Sequence, residues 1–228
     1  MPTCPGWSVD DLVVHVGMVH RWCADVLRGV RGDPAGHEAA GRDSADLLQW
    51  FDDGATELLD VLSKTPSDWE GFFFLENTPD ARTGWARRQC HETTIHAVDA
   101  MAARLGRVPS ADEVWFSPGL AVDGVDELLM GFAPRRSTRL RAPEAVTIEI
   151  VARAGDDPQG VWTLSVSDRP PVVGREAAAG PDVRWTAPAR ELYPALWNRG
   201  GDIDVAELTA VGRGSRALWA ELMRVTWS

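Results

Sequence analysis

The chain has 228 residues, 44% of them hydrophobic, and a formal net charge of -11; that length can bury one large core or two modest ones. The negative balance argues against nucleic acid or an anionic membrane surface as partner, because both demand clustered Lys and Arg. Cys4, Cys23 and Cys90 show no Cys-x-x-Cys spacing, so neither a disulfide framework nor a cysteine zinc site is indicated. The absence of a signal pattern or a long apolar run predicts a cytoplasmic protein.

In chain order, the first predicted helix covers residues 8–28. Ser8 suits the N-cap, and Asp10 and Asp11 place negative charge where the helix dipole favours it. Leu12, Val16, Val19 and Cys23 recur at helical spacing and mark a buried face. His15 falls on that side, whereas His20, five positions on, is turned elsewhere. His37 is expected in a solvated loop. A second helix, residues 44–63, carries an apolar stripe of Leu47, Leu48, Phe51, Ala55, Leu58, Leu59 and Leu62. Residues 69–76 read as a short extended segment whose Phe72 or Phe74 either lines a substrate mouth or packs as loop.

The third helix, residues 83–105, stops at Gly106. Glu92 and His96 stand four apart there, on one face, with His91 turned away and Cys90 expected as a packed small side chain. A fourth helix covers residues 119–132. The basic run 135–141 reads as a solvated interdomain linker.

Beyond it the apolar period falls to two. Residues 145–153 and 161–167 alternate as strands of an antiparallel hairpin, with its turn at 155–160. A strand at 182–186, a helix at 189–197, a strand at 203–208 and a helix at 214–223 follow. The fold class is therefore α+β, with domains at 1–134 and 142–228.

A Glu oxygen and a neutral imidazole are both good ligands for a divalent transition metal. His15, Glu92 and His96 form the best three-ligand set the histidines allow, and three ligands leave an open position for chemistry. The competing reading is a core histidine bonded to a carbonyl beside an ordinary Glu-x-x-x-His helix pair. The spacing is not His-Glu-x-x-His, since His96 comes one residue too late.

Three blocks in one order add to this: Cys4-Pro5-Gly6-Trp7-Ser8 running to His15, Arg88-Gln89-Cys90-His91-Glu92 running to Ala100, and Ala121-Val122-Asp123-Gly124-Val125-Asp126 running to Leu129. With Leu192-Tyr193-Pro194-Ala195-Leu196-Trp197-Asn198-Arg199, they resemble the mycothiol-dependent maleylpyruvate isomerase family. The resemblance implies an N-terminal DinB-like metal-binding bundle and a smaller α/β domain of the sterol-carrier kind. It places the metal ligands on His15, Glu92 and His96, and implies a divalent metal, zinc foremost, and mycothiol as cofactors. It also suggests a catalytic arginine in the second domain, here Arg199. A guanidinium there could bind a substrate carboxylate, or simply complement a helix C-terminus. Family members carry a helix upstream of the Cys4 block, so a first helix of the bundle is expected to be missing here.

The implied activity is maleylpyruvate-type cis–trans isomerisation or thiol transfer. The expected partners are a small electrophile and a low-molecular-weight thiol, with neither nucleic acid nor membrane, and the chain a monomer or homodimer. The alternatives are a non-catalytic metal or small-molecule binding protein of the same fold and a metal hydrolase that needs no thiol.

Overall fold

Apolar residues at helical spacing fill the first half of the chain and alternating ones the second, and the architecture follows that change of period. A computed structural model describes residues 1–76, 78–201 and 203–225. It divides into two compact units, Met1–Arg107 and Val108–Ser228.

The first unit is helical: α1 (Val9–Leu27), α2 (Pro34–Arg42), α3 (Leu47–Lys64) and α4 (Ala81–Leu105). Each start is fixed by a side chain that accepts an otherwise orphan N–H, from Ser8, Asp33, Asp46 and Asp80 in turn. At α1 the cap is reciprocal, with Ser8 Oγ accepting from Asp11 N and Asp11 Oδ2 accepting from Ser8 N. The Arg42 guanidinium, followed by Ser8, holds the Asp11 carboxyl well below the usual carboxylate range.

Leu12, Val16, Val19 and Cys23 are all buried, as their spacing requires. Trp85 is fully buried and meets Trp22, Phe73 and Phe74 edge-on at 5.2, 5.2 and 5.4 Å. Gly17 lets α3 approach α1, because a Cβ there would stand 2.3 Å from the Trp50 ring.

Several expectations change in this unit. α2 replaces the solvated loop, since Asp33 caps it and Pro34 pre-sets its first turn. His37 is half-buried within it, its Nε2 2.8 Å from Asp25 Oδ2. The stripe on α3 is narrower than expected. Leu58 and Val61 are buried, while Leu48 and Leu59 lie on an exposed face. Residues 69–76 form no strand. Phe73 and Phe74 pack on Trp85, and Phe72 is exposed but lends its carbonyl to Trp85 Nε1 at 2.7 Å. Cys90 is exposed rather than packed. Cys23 is the buried cysteine, and burial pushes its thiol pKa far up.

The second unit holds α5 (Pro118–Asp126), which runs on into a π-helical segment, Glu127–Phe132. Then come β1 (Val146–Ala154), β2 (Asp157–Val166), β3 (Val172–Gly174), β4 (Val183–Pro188), α6 (Ala189–Leu196), β5 (Asp204–Glu207) and α7 (Ser215–Leu222). The sheet order is β3-β2-β1-β4-β5, with β1 and β4 parallel and every other pair antiparallel. Ala154 pairs with Asp157, so the hairpin turns on Gly155 and Asp156 alone, with Gly155 at φ 61. That turn is tighter than the one expected.

The expected helical domain extended to residue 134, whereas α5 and its continuation lie in the second unit, where Tyr193 of α6 meets Phe116 edge-on at 5.6 Å. The basic run 135–141 is accordingly inside that unit. Leu140 is buried, and the next residue but one, Ala142, donates its N–H to Ser167 O at 2.9 Å. Among the described residues, no helix is long and apolar enough to cross a membrane.

Candidate metal centre

α4 carries no apolar stripe comparable to α3's, yet much of it is buried. Arg88, Gln89, His91, Glu92, His96 and Asp99 are all shielded from solvent. Buried polar groups must find partners, and on this helix they organise around Glu92.

His15, from the middle of α1, and His96, one turn after Glu92 on α4, each direct Nε2 at the same oxygen. Both nitrogens lie 3.2 Å from Glu92 Oε1. The two imidazole rings are 4.9 Å apart at 77°. The candidate ligand atoms of His15, Glu92 and His96 all lie within 4.8 Å of one another, and among the described residues these three form a group that could hold a metal. His20 and His91 are also buried but stand outside this group. His20 Nε2 instead lies 2.9 Å from Thr93 Oγ1.

Two further side chains, missed in the sequence, fix Glu92 and His96. Asp99 is fully buried, and its Oδ2 lies 2.9 Å from His96 Nδ1. An Nδ1–H donated to that carboxylate leaves the Nε2 of a neutral imidazole with its lone pair facing the centre. Arg88, also buried, donates from Nη2 to Glu92 Oε2 at 3.0 Å, leaving Oε1 for the histidines. Asp99 is three residues beyond His96 and Arg88 four before Glu92, spacings that put them on the same helical faces as the ligands.

The electrostatics agree. Burial alone would raise the Glu92 pKa, but hydrogen bonds with His15 and His96 and the Arg88 charge hold it well below the usual range. Burial alone would lower that of His96, yet Asp99 and Glu92 together raise it. Glu92 and His96 are thus charged groups whose ionisation depends on each other and on Arg88 and Asp99.

Trp7, just ahead of the α1 cap, forms an aromatic wall. Its ring is 5.1 Å from that of His15 and lies nearly parallel to that of His96 at 6.2 Å. It remains 36% exposed, whereas Glu92 and His96 behind it are buried.

The donor set fits a divalent transition metal: two imidazole nitrogens and one carboxylate oxygen, each ligand on α4 braced by a second residue. Arg199 belongs to the other unit. It follows α6 and is half-buried, with Nη1 donating to Trp197 O at 2.8 Å, a placement that suits a helix C-terminus.

The model of the family described as the mycothiol maleylpyruvate isomerase N-terminal domain matches residues 1–101. Those residues contain all three candidate ligands, Trp7, Arg88 and Asp99. No curated protein and no solved structure matches the chain.

Proposed function

We propose that this chain, which carries the N-terminal domain of the mycothiol maleylpyruvate isomerase family over residues 1–101, is a metal- and thiol-dependent enzyme acting on a small electrophile. The observation that carries this reading is the convergence of His15 Nε2 and His96 Nε2 on one oxygen of Glu92, within a domain of that family. A divalent metal held there, zinc foremost, would lower the pKa of a thiol bound on its open side and present it as thiolate.

The chain's own residues do the rest. Asp99 fixes the His96 tautomer, and Arg88 confines Glu92 to a single-oxygen ligand. Trp7 limits water beside the two imidazoles and offers a flat apolar surface to an entering molecule. In this scheme the reactive sulfur arrives with a cofactor, mycothiol being the thiol named by the family. Arg199 is the residue of the second unit that would hold a substrate carboxylate, by a bidentate guanidinium contact. Either isomerisation of a cis-enedione or transfer of the thiol to an electrophile fits this machinery.

The test is turnover of a maleylpyruvate-type substrate, and of simple thiol-acceptor electrophiles, by zinc-loaded protein with and without mycothiol. Turnover that requires the thiol is expected. Turnover without it would replace this reading by a metal hydrolase. Metal retention with no turnover would leave a binding protein.

A further inference from the structure

The candidate metal centre draws its ligands from two helices, His15 from α1 and Glu92 and His96 from α4. Glu92 and His96 stand about one turn apart on one helix, so that helix fixes their spacing. His15 belongs to another element, and its distance from the other two depends on how α1 lies against α4. A zinc–imidazole bond is about 2.0–2.1 Å long, and a fitting site keeps such distances to within about 0.2 Å. A slide of α1 along α4 would therefore carry His15 away from both partners at once.

The two helices run antiparallel here. His15 faces Glu92 and His96, while Trp22, further along α1, meets Trp85, nearer the start of α4, at 5.2 Å. The contact between the two tryptophans is apolar, and burial of apolar surface is non-directional, so it tolerates a small slide. His20 lies between these levels on α1. Its Nε2 is 2.9 Å from the Oγ1 of Thr93, the residue that follows Glu92. Phe51 of α3 backs the same ring at 5.5 Å. A hydrogen bond weakens steeply with distance and angle, so this one resists the slide that the tryptophans permit.

Histidine is an expensive side chain for this position. The residue is 3% exposed, and its Nδ1 is buried with no hydrogen-bond partner. Burial pushes its pKa down to about 4, so the ring is neutral at pH 7 and adds no positive charge beside the candidate cation site. An unmatched buried nitrogen costs more than one neutral hydrogen bond returns. For stability alone an apolar side chain would serve better. What an apolar side chain would lose is the directional link to α4.

We propose that His20 and Thr93 are a positioning pair: their hydrogen bond holds α1 in register with α4, so that His15 meets Glu92 and His96 at metal-binding distance. Neither residue belongs to the candidate ligand group, and both act through the helices that carry it. The proposal rests on the reading of that group as a metal site.

Zinc affinity of the full chain, measured by competition with a chelating dye beside urea unfolding of the metal-free protein, tests it. His20→Leu and Thr93→Val should each weaken zinc binding about tenfold, the lower end of the effect of residues that orient metal ligands. The double variant should bind no more weakly than either single one, because both remove the same bond. Thr93→Ser keeps the hydroxyl and should bind like wild type. The visible absorption of the cobalt-loaded protein should change in His20→Leu and Thr93→Val and stay as in wild type in Thr93→Ser. His20→Leu should unfold at no lower urea concentration than wild type. Wild-type zinc affinity in both His20→Leu and Thr93→Val would overturn this proposal alone, leaving the metal site standing. Weaker binding that merely tracks a loss of stability in urea would also overturn it. No zinc binding by the wild type would overturn the metal reading and this proposal together. Should His20→Leu fail to fold, Thr93→Val against Thr93→Ser still decides.

Discussion

Asp99 and Arg88 act on the candidate metal centre through Glu92 and His96, which makes them its most informative single positions. Asp99 orients His96, and Arg88 holds one Glu92 oxygen away from the histidines. Residues that orient metal ligands typically contribute about 10–100-fold to metal affinity. Asp99→Asn should therefore weaken zinc binding by about that factor, measured by competition with a chelating dye, while the helical circular dichroism stays as in wild type. Unchanged affinity would mean that His96 is oriented without Asp99. The candidate ligands were legible in the sequence because helical spacing places Glu92 and His96 together and His15 on a core face. Asp99 and Arg88 stand at equally regular spacings, but charged residues three or four apart are common on exposed helix faces. Only their burial sets these two apart, and periodicity does not report burial on a helix with so little apolar stripe.

At the scale of elements, α4 is held by its aromatic start as well as by its polar middle. Trp85 meets three aromatic rings edge-on and donates to Phe72 O. Trp85→Ala should cost about 3–5 kcal/mol, the usual range for a large aromatic lost from a core, read from urea unfolding. A loss below about 1 kcal/mol would show that the cluster is not central to the first unit.

In the sheet, Asp182 joins three strands. Its carboxylate accepts from Thr209 Oγ1 at 2.7 Å and from Thr147 N at 2.8 Å, and its carbonyl accepts from Leu208 N and Thr209 N. The Thr209 and Thr147 hydrogen bonds hold its carboxyl below the ordinary value of 3.8. A carboxyl depressed on folding adds stability above its unfolded pKa, and that stability fades as pH falls through the folded value. Asp182→Ala should accordingly destabilise the chain by about 1–3 kcal/mol at pH 7, for two lost hydrogen bonds. The gap to wild type should narrow below pH 3.8 in parallel unfolding curves. A gap constant down to the acid transition would contradict this role.

The long helices and the hairpin were readable from periodicity. α2 was not, although Asp33-Pro34 is a good helix start, because its nine residues present little apolar face. β3 has three residues, too few to show an alternation.

For the whole molecule, the change of apolar period along the chain marked an α+β fold of helices followed by strands, and that is the order observed. Where one unit gives way to the next was not legible. The expected boundary followed the basic run 135–141 because charge clusters often mark solvated linkers. Leu140, within that run, is nevertheless buried, and α5 joins the unit that contains the sheet. A helix that packs on a later element gives no local sign of its allegiance. The family match, residues 1–101, lies within the first unit and includes His15, Glu92 and His96 but not Arg199.

The central claim is that His15, Glu92 and His96 hold a metal, and elemental analysis of purified wild type beside His96→Ala tests it most directly. The predicted result is about one divalent metal per chain in the wild type, as a single three-ligand site requires, and its loss when one ligand is removed. No metal in either protein, even after zinc is supplied, would contradict the claim.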